Sequence, residues 1–501
     1  MNRRKFIRSS LSAAMLAALP GTQALAISLV HTPTKVPADI DAVKMNGSEV
    51  TLPQAMVQEL SDSLKGKLLL PGNQAYDDAR YLLMQAYDKY PAMVVQPTGA
   101  ADVQHAVNFA RDNSLLLAVK CGGHAAAGTS SCDKGLQIDL SQLRNARVDR
   151  AAKTARIAGG SLLGELDYEA MAHGLVTTAG TVSHTGVGGL TLGGGFGRLG
   201  RRFGMSIDNV LEMDVVTPDG KLRRVGPDND ADLYWALRGG GGNFGVVTSF
   251  LFQLHEMQRD VVTGYFAYPL TEAKQVLRFY AEHSLTLPDE MSMGAGMGNR
   301  PGEDPSLGIY FIWSGDPAEA EQHIAPLRKA GTVVYEGVQT QDYVAVQRSG
   351  DVSDTRIFTG QMKSGFTNEI SGDFIDTLVD NFEMHPDRGS RFSFAQSGGG
   401  AIARVGRTET AFPHRDALYT LMSFVSWAPE ADEPQPHIDY INAFWSKAEP
   451  FTTGFYVNDY FDQSQEQINQ TYRENFPRLL KIKRQYDPAN LFRLNANIQA
   501  T

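Results

Sequence analysis

Cysteine is nearly absent from this chain: among 501 residues only Cys121 and Cys132 occur. Two cysteines make no disulfide framework, and their spacing is not that of a zinc site. A single bridge between them stays open, as does a pair of buried free thiols. The histidines are scattered, so no metal constellation is read. No G-x-S-x-G segment occurs, which removes the nucleophile elbow of a hydrolase. Acidic residues outnumber basic ones, and the formal net charge is −10. That balance argues against nucleic acid and anionic membrane surfaces, both of which demand a basic footprint. Past the N-terminal segment no apolar run is long enough to cross a bilayer, so no membrane anchor is expected in the mature protein. No internal repeat or low-complexity tract is present.

The N-terminal segment is itself informative. Met1-Asn2-Arg3-Arg4-Lys5-Phe6-Ile7 holds a twin arginine followed by an aromatic, residues 11–19 are apolar, and Ala24-Leu25-Ala26 offers a small-residue cleavage site. Residues 1–26 read as a twin-arginine signal peptide. The pattern predicts the twin-arginine export machinery as a partner and a periplasmic or secreted place of work. Because that route carries folded proteins, it also predicts a cofactor fitted before export.

Glycine is what the chain has in quantity, 49 residues, and it is clustered. The first cluster, Lys120-Cys121-Gly122-Gly123-His124 through Gly128, follows the apolar run 115–119, which reads as a short buried strand. Glycines there let main-chain N–H groups turn toward an anionic ligand, and His124 stands just beyond them. The second cluster runs from Gly180 to Gly197. Strands are expected at 92–95, 135–140, 155–158 and 246–254, with a hairpin around the turn Pro218-Asp219-Gly220. Helices are expected after Pro97, from 162 to about 174, and over 230–237. Residues 27–60 read as a polar, irregular extension and 61–255 as a first domain. From 256 to 445 strand-like runs alternate with amphipathic helices at 272–283 and 317–330, an α+β pattern with a sheet backed by helices. Residues 446–501 form a tail with a helix over 465–485.

Gly195-Phe196-Gly197-Arg198-Leu199-Gly200 spells G-x-G-x-x-G. It sits inside a longer glycine-rich coil, with a hairpin soon after, so a nicotinamide-binding fingerprint is rejected. Residues 120–128, 180–200, 208–220, 233–252 and 456–498 together resemble the berberine-bridge-enzyme-like flavoprotein oxidases, of the vanillyl-alcohol-oxidase flavin fold. The resemblance implies an α+β fold class. It places a PCMH-type FAD-binding domain of two α/β subdomains at 61–255 and an α+β substrate domain, an antiparallel sheet backed by helices, at 256–445. The tail 446–501 would return to the FAD domain. It further implies FAD held covalently through His124, with Lys120, Cys121, Gly122, Gly123 and Gly128 in the pyrophosphate loop. Gly186, Gly188, Gly189, Gly193, Gly194, Gly195 and Gly197 would wrap the flavin. Gly245 and Val247 would lie along the adenine and ribose end, and Asn495 and Asn497 would reach back from the tail. Three residues depart from the family pattern. Val182 stands where bicovalent members carry cysteine, which implies attachment through His124 alone. Thr185 holds the position linked to oxygen access. Lys120 replaces arginine, keeping the charge but losing the planar fork.

The function expected is hydride transfer from an alcohol, sugar or amine-type carbon of a small-molecule substrate to FAD, with O2 as acceptor and H2O2 as product. A periplasmic dehydrogenase that passes electrons to a carrier and a flavin-containing binding protein without turnover are the alternatives. Tyr456, in a Tyr456-Val457-Asn458 segment resembling the family's Y-x-N, is the expected catalytic base. Tyr460 is its competitor, and Lys363 is a cation that would favour loss of the phenol proton. Gln396, Arg404 and Lys363 are candidate polar groups of the substrate pocket.

Overall fold

The computed structural model describes residues 33–84, 87–299, 305–351, 359–383, 385, 388–428 and 433–499. Residues 1–26, expected to be a signal peptide, lie outside them. Three larger sheets carry the chain. The first has β1 (Lys67–Leu69), β2 (Met93–Gln96), β3 (Leu117–Lys120) and β4 (Leu136–Asp139) in the order β1-β2-β4-β3. β2, β4 and β3 are parallel. Parallel strands of one sheet need a crossover, and α1 (Ala100–Asp112) supplies the one from β2 to β3, which flank β4. Its Val103, Ala106, Val107 and Ala110 are buried, as their helical spacing predicts.

The second sheet is antiparallel throughout: β5 (Ala146–Asp149), β6 (Thr154–Ala158), β7 (Val210–Val216), β8 (Leu222–Val225) and β9 (Val246–Gln253), in the order β8-β7-β9-β6-β5. Helices α2 (Leu163–Met171), α3 (Val187–Gly193) and α4 (Ala231–Leu237) share its core.

The third sheet holds seven antiparallel strands: β10 (Asp260–Tyr268), β11 (Met291–Asn299), β12 (Ser306–Trp313), β13 (Tyr335–Asp342), β14 (Gly360–Thr367), β15 (Gly389–Ala395) and β16 (Tyr419–Ser426), in the order β13-β10-β12-β11-β15-β16-β14. Alternation along these strands sorts residues to two faces. Phe266, Ile309, Phe311, Phe392 and Leu421 bury themselves with α5 (Ala273–His283), α7 (Gly372–Asn381) and α8 (Gln435–Ala448). Helix α6 (Tyr343–Arg348) instead packs with α2 of the second sheet's layer, and its buried Gln347 donates to Ala179 O at 3.1 Å. Helices α9 (Gln465–Thr471) and α10 (Phe476–Tyr486) of the tail return to the second sheet, where Ile468, Leu479, Ile482 and Ile498 join Met213 and Phe250 in one core.

Three local expectations change. Residues 33–63 are not irregular: a hairpin of Ile40–Val43 and Glu49–Leu52 and a helix Gln54–Ser63 put Ala42, Leu52, Val57 and Leu60 into the core around β2. Their few apolar residues are spaced between polar ones, which hides the period. The helix expected over 317–330 is broken into short turns, since Pro326 lacks the N–H that would continue it. The tail helix splits at Arg473, which has φ +46°, and Pro477 opens the second piece.

Candidate active site

The two glycine clusters meet back to back. A Cβ on Gly122 would lie 2.3 Å from Gly186 N, and one on Gly186 would lie 2.5 Å from Cys121 Sγ. Only glycine permits that approach, and it brings the loop after β3 against the entry to α3. Between them opens a cavity of about 350 Å³, closed on other sides by residues 241–247 and by tail residues 456–460 and 492–496. Inside it, His124 Nε2 lies 2.7 Å from His184 Nδ1, and His124 Nδ1 lies 3.5 Å from Thr185 Oγ1. Burial, and then the neighbouring His184, push the His124 imidazole down to about 4, so it is neutral at physiological pH.

The cavity suits a large cofactor with phosphates. A Cβ on Gly189 would meet nothing within 4 Å, and one on Gly242 only Asn495 Nδ2 at 3.9 Å, so at both positions bare main chain faces open space. Asn495 Oδ1 is buried there without a partner. Main-chain walls and an orphan amide acceptor fit a flat, hydrogen-bonding, anionic group such as FAD.

Of the residues expected here, Cys121, Gly122, Gly123, His124, Thr185, Gly186, Gly188, Gly189, Gly245, Val247, Tyr456, Tyr460 and Asn495 line the cavity. Others do not. Lys120, the last residue of β3, points into the first layer, where its Nζ donates to Ala79 O at 2.6 Å and lies 3.8 Å from Asp139. Gly128 shapes a turn against Tyr87. Gly193, Gly194 and Gly195 make room for protein rather than for a flavin: a Cβ would lie 2.1 Å from Asn458 Oδ1 of the tail at Gly193, 2.5 Å from the Met205 methyl at Gly194 and 2.3 Å from Ser206 Oγ at Gly195. Gly197 opens onto a different cavity. Asn497 does not line the cavity; its main-chain carbonyl accepts from Gln465 Nε2 of α9 at 2.8 Å. Lys363 is paired with Asp462 at 2.8 Å and does not serve Tyr456. Arg404 is exposed and pairs with Asp289 at 2.8 Å. The two thiols are free and turn to different carbonyls, Cys121 to Gly159 O at 3.1 Å and Cys132 to Leu136 O at 3.8 Å, so the bridge is not formed.

Tyr456 is placed in the cavity but not as a free base. Its hydroxyl oxygen accepts from Gly195 N–H at 2.9 Å and from Asn458 Nδ2 at 2.8 Å. The Asn458 amide orientation follows from Nδ2 also donating to Leu190 O at 3.0 Å, a carbonyl that can only accept. Both donors favour the phenolate, but burial outweighs them and holds the phenol pKa well above the ordinary tyrosine value.

Three features escaped the sequence reading. His184 sat inside the second glycine cluster with nothing local to single it out. Asp459 lines the cofactor cavity, and burial pushes its carboxyl up to about 6; an acid directly after Y-x-N was the available signal. The third is a second cavity, of about 510 Å³, against the unburied face of the seven-stranded sheet. Tyrosines floor it. A Cβ on Gly294 would fall 2.2 Å from the Tyr310 ring, and one on Gly308 would fall 2.3 Å from the Tyr265 ring, so these rings lie on glycine-paved strands. Gln396 and Arg198 add polar groups. Phe196 lines this cavity and its ring centroid lies 4.9 Å from that of Tyr456, so the two cavities meet across that pair.

A main-chain cradle for an anionic cofactor, a half-buried neutral histidine lining it and an adjoining aromatic cavity define a flavoprotein oxidoreductase. The family profile described as "FAD binding domain" matches residues 91–226, and the one described as "Berberine and berberine like" matches 455–499. An FAD-linked oxidoreductase of Dictyostelium discoideum is 31% identical over 451 residues, covering 89% of this chain and 97% of that one. A glucooligosaccharide oxidase of Sarocladium strictum is 28% identical, covering 83% of this chain and 88% of that one. The crystal structure of 6-hydroxy-D-nicotine oxidase from Arthrobacter nicotinovorans matches with a TM-score of 0.80 at 26% identity, over 87% of this chain and 98% of that one. The chain belongs to the berberine-bridge-like FAD-linked oxidoreductases, and FAD is its cofactor.

Proposed function

We propose that this chain is an exported oxidase that carries FAD on His124 and takes hydride from an alcohol, sugar or amine-type carbon, with O2 as the final acceptor and H2O2 as product. The observation that carries the reading is the His124–His184 pair. With Nε2 donating to His184 Nδ1, His124 keeps the Nδ1 lone pair for a bond to the flavin. The low pKa keeps that lone pair available at neutral pH. Val182, at the second attachment position of bicovalent members, offers no sulfur, so the link is single. FAD, when bound, supplies the redox step; the protein binds, orients and deprotonates the substrate.

The tyrosine-floored cavity supports a substrate with a flat or sugar-like ring, since aromatic faces bind both. The relatives named for a hydroxynicotine and for glucooligosaccharides keep the amine and sugar classes together in this proposal. Residues 1–26 support export, and lysine at both Arg3 and Arg4 should strand the precursor in the cytoplasm. Small Thr185 supports oxygen access. Incubation with a library of sugars, alcohols and cyclic amines under anaerobic conditions should bleach the flavin, and air should then yield H2O2. Bleaching without peroxide would make the chain a dehydrogenase; no bleaching by any class would make it a binding protein.

A further inference from the structure

We infer that Asp459, rather than Tyr456, is the catalytic base. The inference rests on the oxidase reading above and names the group that takes the substrate proton.

Asp459 closes the turn Val457–Asp459, which carries the tail along the cofactor cavity. Its main-chain N–H donates to Tyr456 O at 2.8 Å, fixing the turn beside that residue. On its other side stands Ser364 of β14, so the carboxyl sits where the tail passes between the cofactor half and the substrate sheet. Among the described residues no lysine, arginine or histidine pairs with it. Tyr456 is the titratable group that feels its charge, Tyr460 lines the same cavity, and Lys363, next to Ser364 on β14, is already paired with Asp462. A carboxyl with no cation beside it is costly to keep charged in such a place, and burial pushes it up to about 6 against the lowering effect of the Ser364 hydroxyl. A carboxylate with that affinity for protons is matched to base catalysis near neutrality.

Tyr456 fails the same comparison. Burial holds its proton on and outweighs the two hydrogen bonds its oxygen accepts, which by themselves favour the phenolate. Its part is to hold Asn458 and Gly195, and through them the wall of the cavity. In the step assigned to Asp459, the substrate O–H or N–H bond breaks and its proton passes to the carboxylate. The adjoining C–H bond leaves with its electron pair as hydride to the bound flavin. The substrate gains a C=O or C=N bond and is oxidised by two electrons, which the flavin receives.

The test uses the flavin-loaded protein and three variants: Asp459→Asn, Asp459→Glu and Tyr456→Phe. Asp459→Asn should keep its covalent flavin and slow anaerobic flavin reduction by about 10²–10⁴-fold, the usual range for a lost base. Native reduction should fall as pH drops below about 6, because protonation removes the base, and Asp459→Asn should lose that limb. Asp459→Glu should recover part of the rate, and Tyr456→Phe, whatever its rate, should keep the limb. A second readout needs no substrate. The absorbance of the bound flavin, titrated from pH 4.5 to 8, should show a transition in the native protein and in Tyr456→Phe that Asp459→Asn lacks. A native-like rate and limb in Asp459→Asn, or a transition that persists in it, overturns the assignment. If no substrate reduces the native flavin, the oxidase reading fails separately, and the absorbance titration alone decides whether Asp459 titrates against the flavin.

Discussion

The two cavities are built from different materials. The cofactor cavity is walled by main chain, drawn together because Gly122 and Gly186 touch where no Cβ fits. The sheet cavity is walled by side chains from five strands, with tyrosines laid over glycines. A main-chain wall is indifferent to small differences in substrate and suits a fixed cofactor. A side-chain wall can change its shape and chemistry one residue at a time, and suits the part that sets substrate choice.

The sharpest way to break that contrast is a methyl group on the main-chain wall. Gly122→Ala would put a Cβ 2.3 Å from Gly186 N, where neither backbone can yield, and should abolish soluble flavin-loaded protein. Gly189→Ala meets open space, so it should fold with a native Tm and lose flavin occupancy instead. Flavin content and thermal melts separate the two outcomes. Native behaviour of both variants would mean that the glycines do not form the wall.

A smaller effect is expected on the side-chain wall. Tyr310→Ala should leave covalent flavin and folding intact while raising KM for a ring-bearing substrate about tenfold, the worth of one stacking contact. An unchanged KM with a lower flavin content would place Tyr310 on the cofactor side and erase the distinction between the cavities.

The smallest effect concerns the support behind the sheet cavity. Gln347 joins Asp167, whose Oδ2 accepts from Gln347 Nε2 at 3.1 Å, to Arg198, whose Nε donates to Gln347 Oε1 at 3.1 Å. Burial pushes the Asp167 carboxyl up to about 7. Its folded pKa lies above the unfolded one, so the folded state holds the extra proton between about pH 4 and 7. Asp167 therefore costs stability increasingly as pH rises through that window, and fully above it. Asp167→Asn, which keeps an acceptor for Gln347, should raise Tm by about 1–3 °C at pH 8 and leave it unchanged at pH 4. An equal shift at both pH values would point to packing instead of charge.

The materials of the two walls also explain what could be read from sequence. The cofactor wall is made of consecutive residues, so Gly122-Gly123-His124 and Gly186 to Gly189 announced themselves. The same local signal misled at Gly193 to Gly195, whose missing side chains admit Asn458, Met205 and Ser206 in turn and not a flavin. Nothing local shows which partner a glycine is clearing space for. Lys120 was read as part of the loop, but strand alternation sends it the other way, to Ala79. The sheet cavity was legible only in part, in Gln396 expected as a pocket polar group, because Tyr265, Tyr310 and Tyr335 lie on different strands and only the pairing order brings them together. His184 and Asp459 gained meaning only from what folding placed beside them. The alternating runs beyond residue 256 did announce a sheet backed by helices, since one face of each strand had to be apolar.

The central claim is that His124 holds the flavin through Nδ1 because His184 takes the other nitrogen. Its most direct test is protein denatured in acid, digested, and followed by flavin absorbance together with peptide mass. The account predicts flavin on the single peptide that contains His124, its loss from the polypeptide in His124→Ala and in His184→Leu, and its return in His184→Asn, whose Oδ1 can accept from Nε2 in place of the ring. Flavin that washes free of the native polypeptide, or flavin retained on His124→Ala, would contradict it.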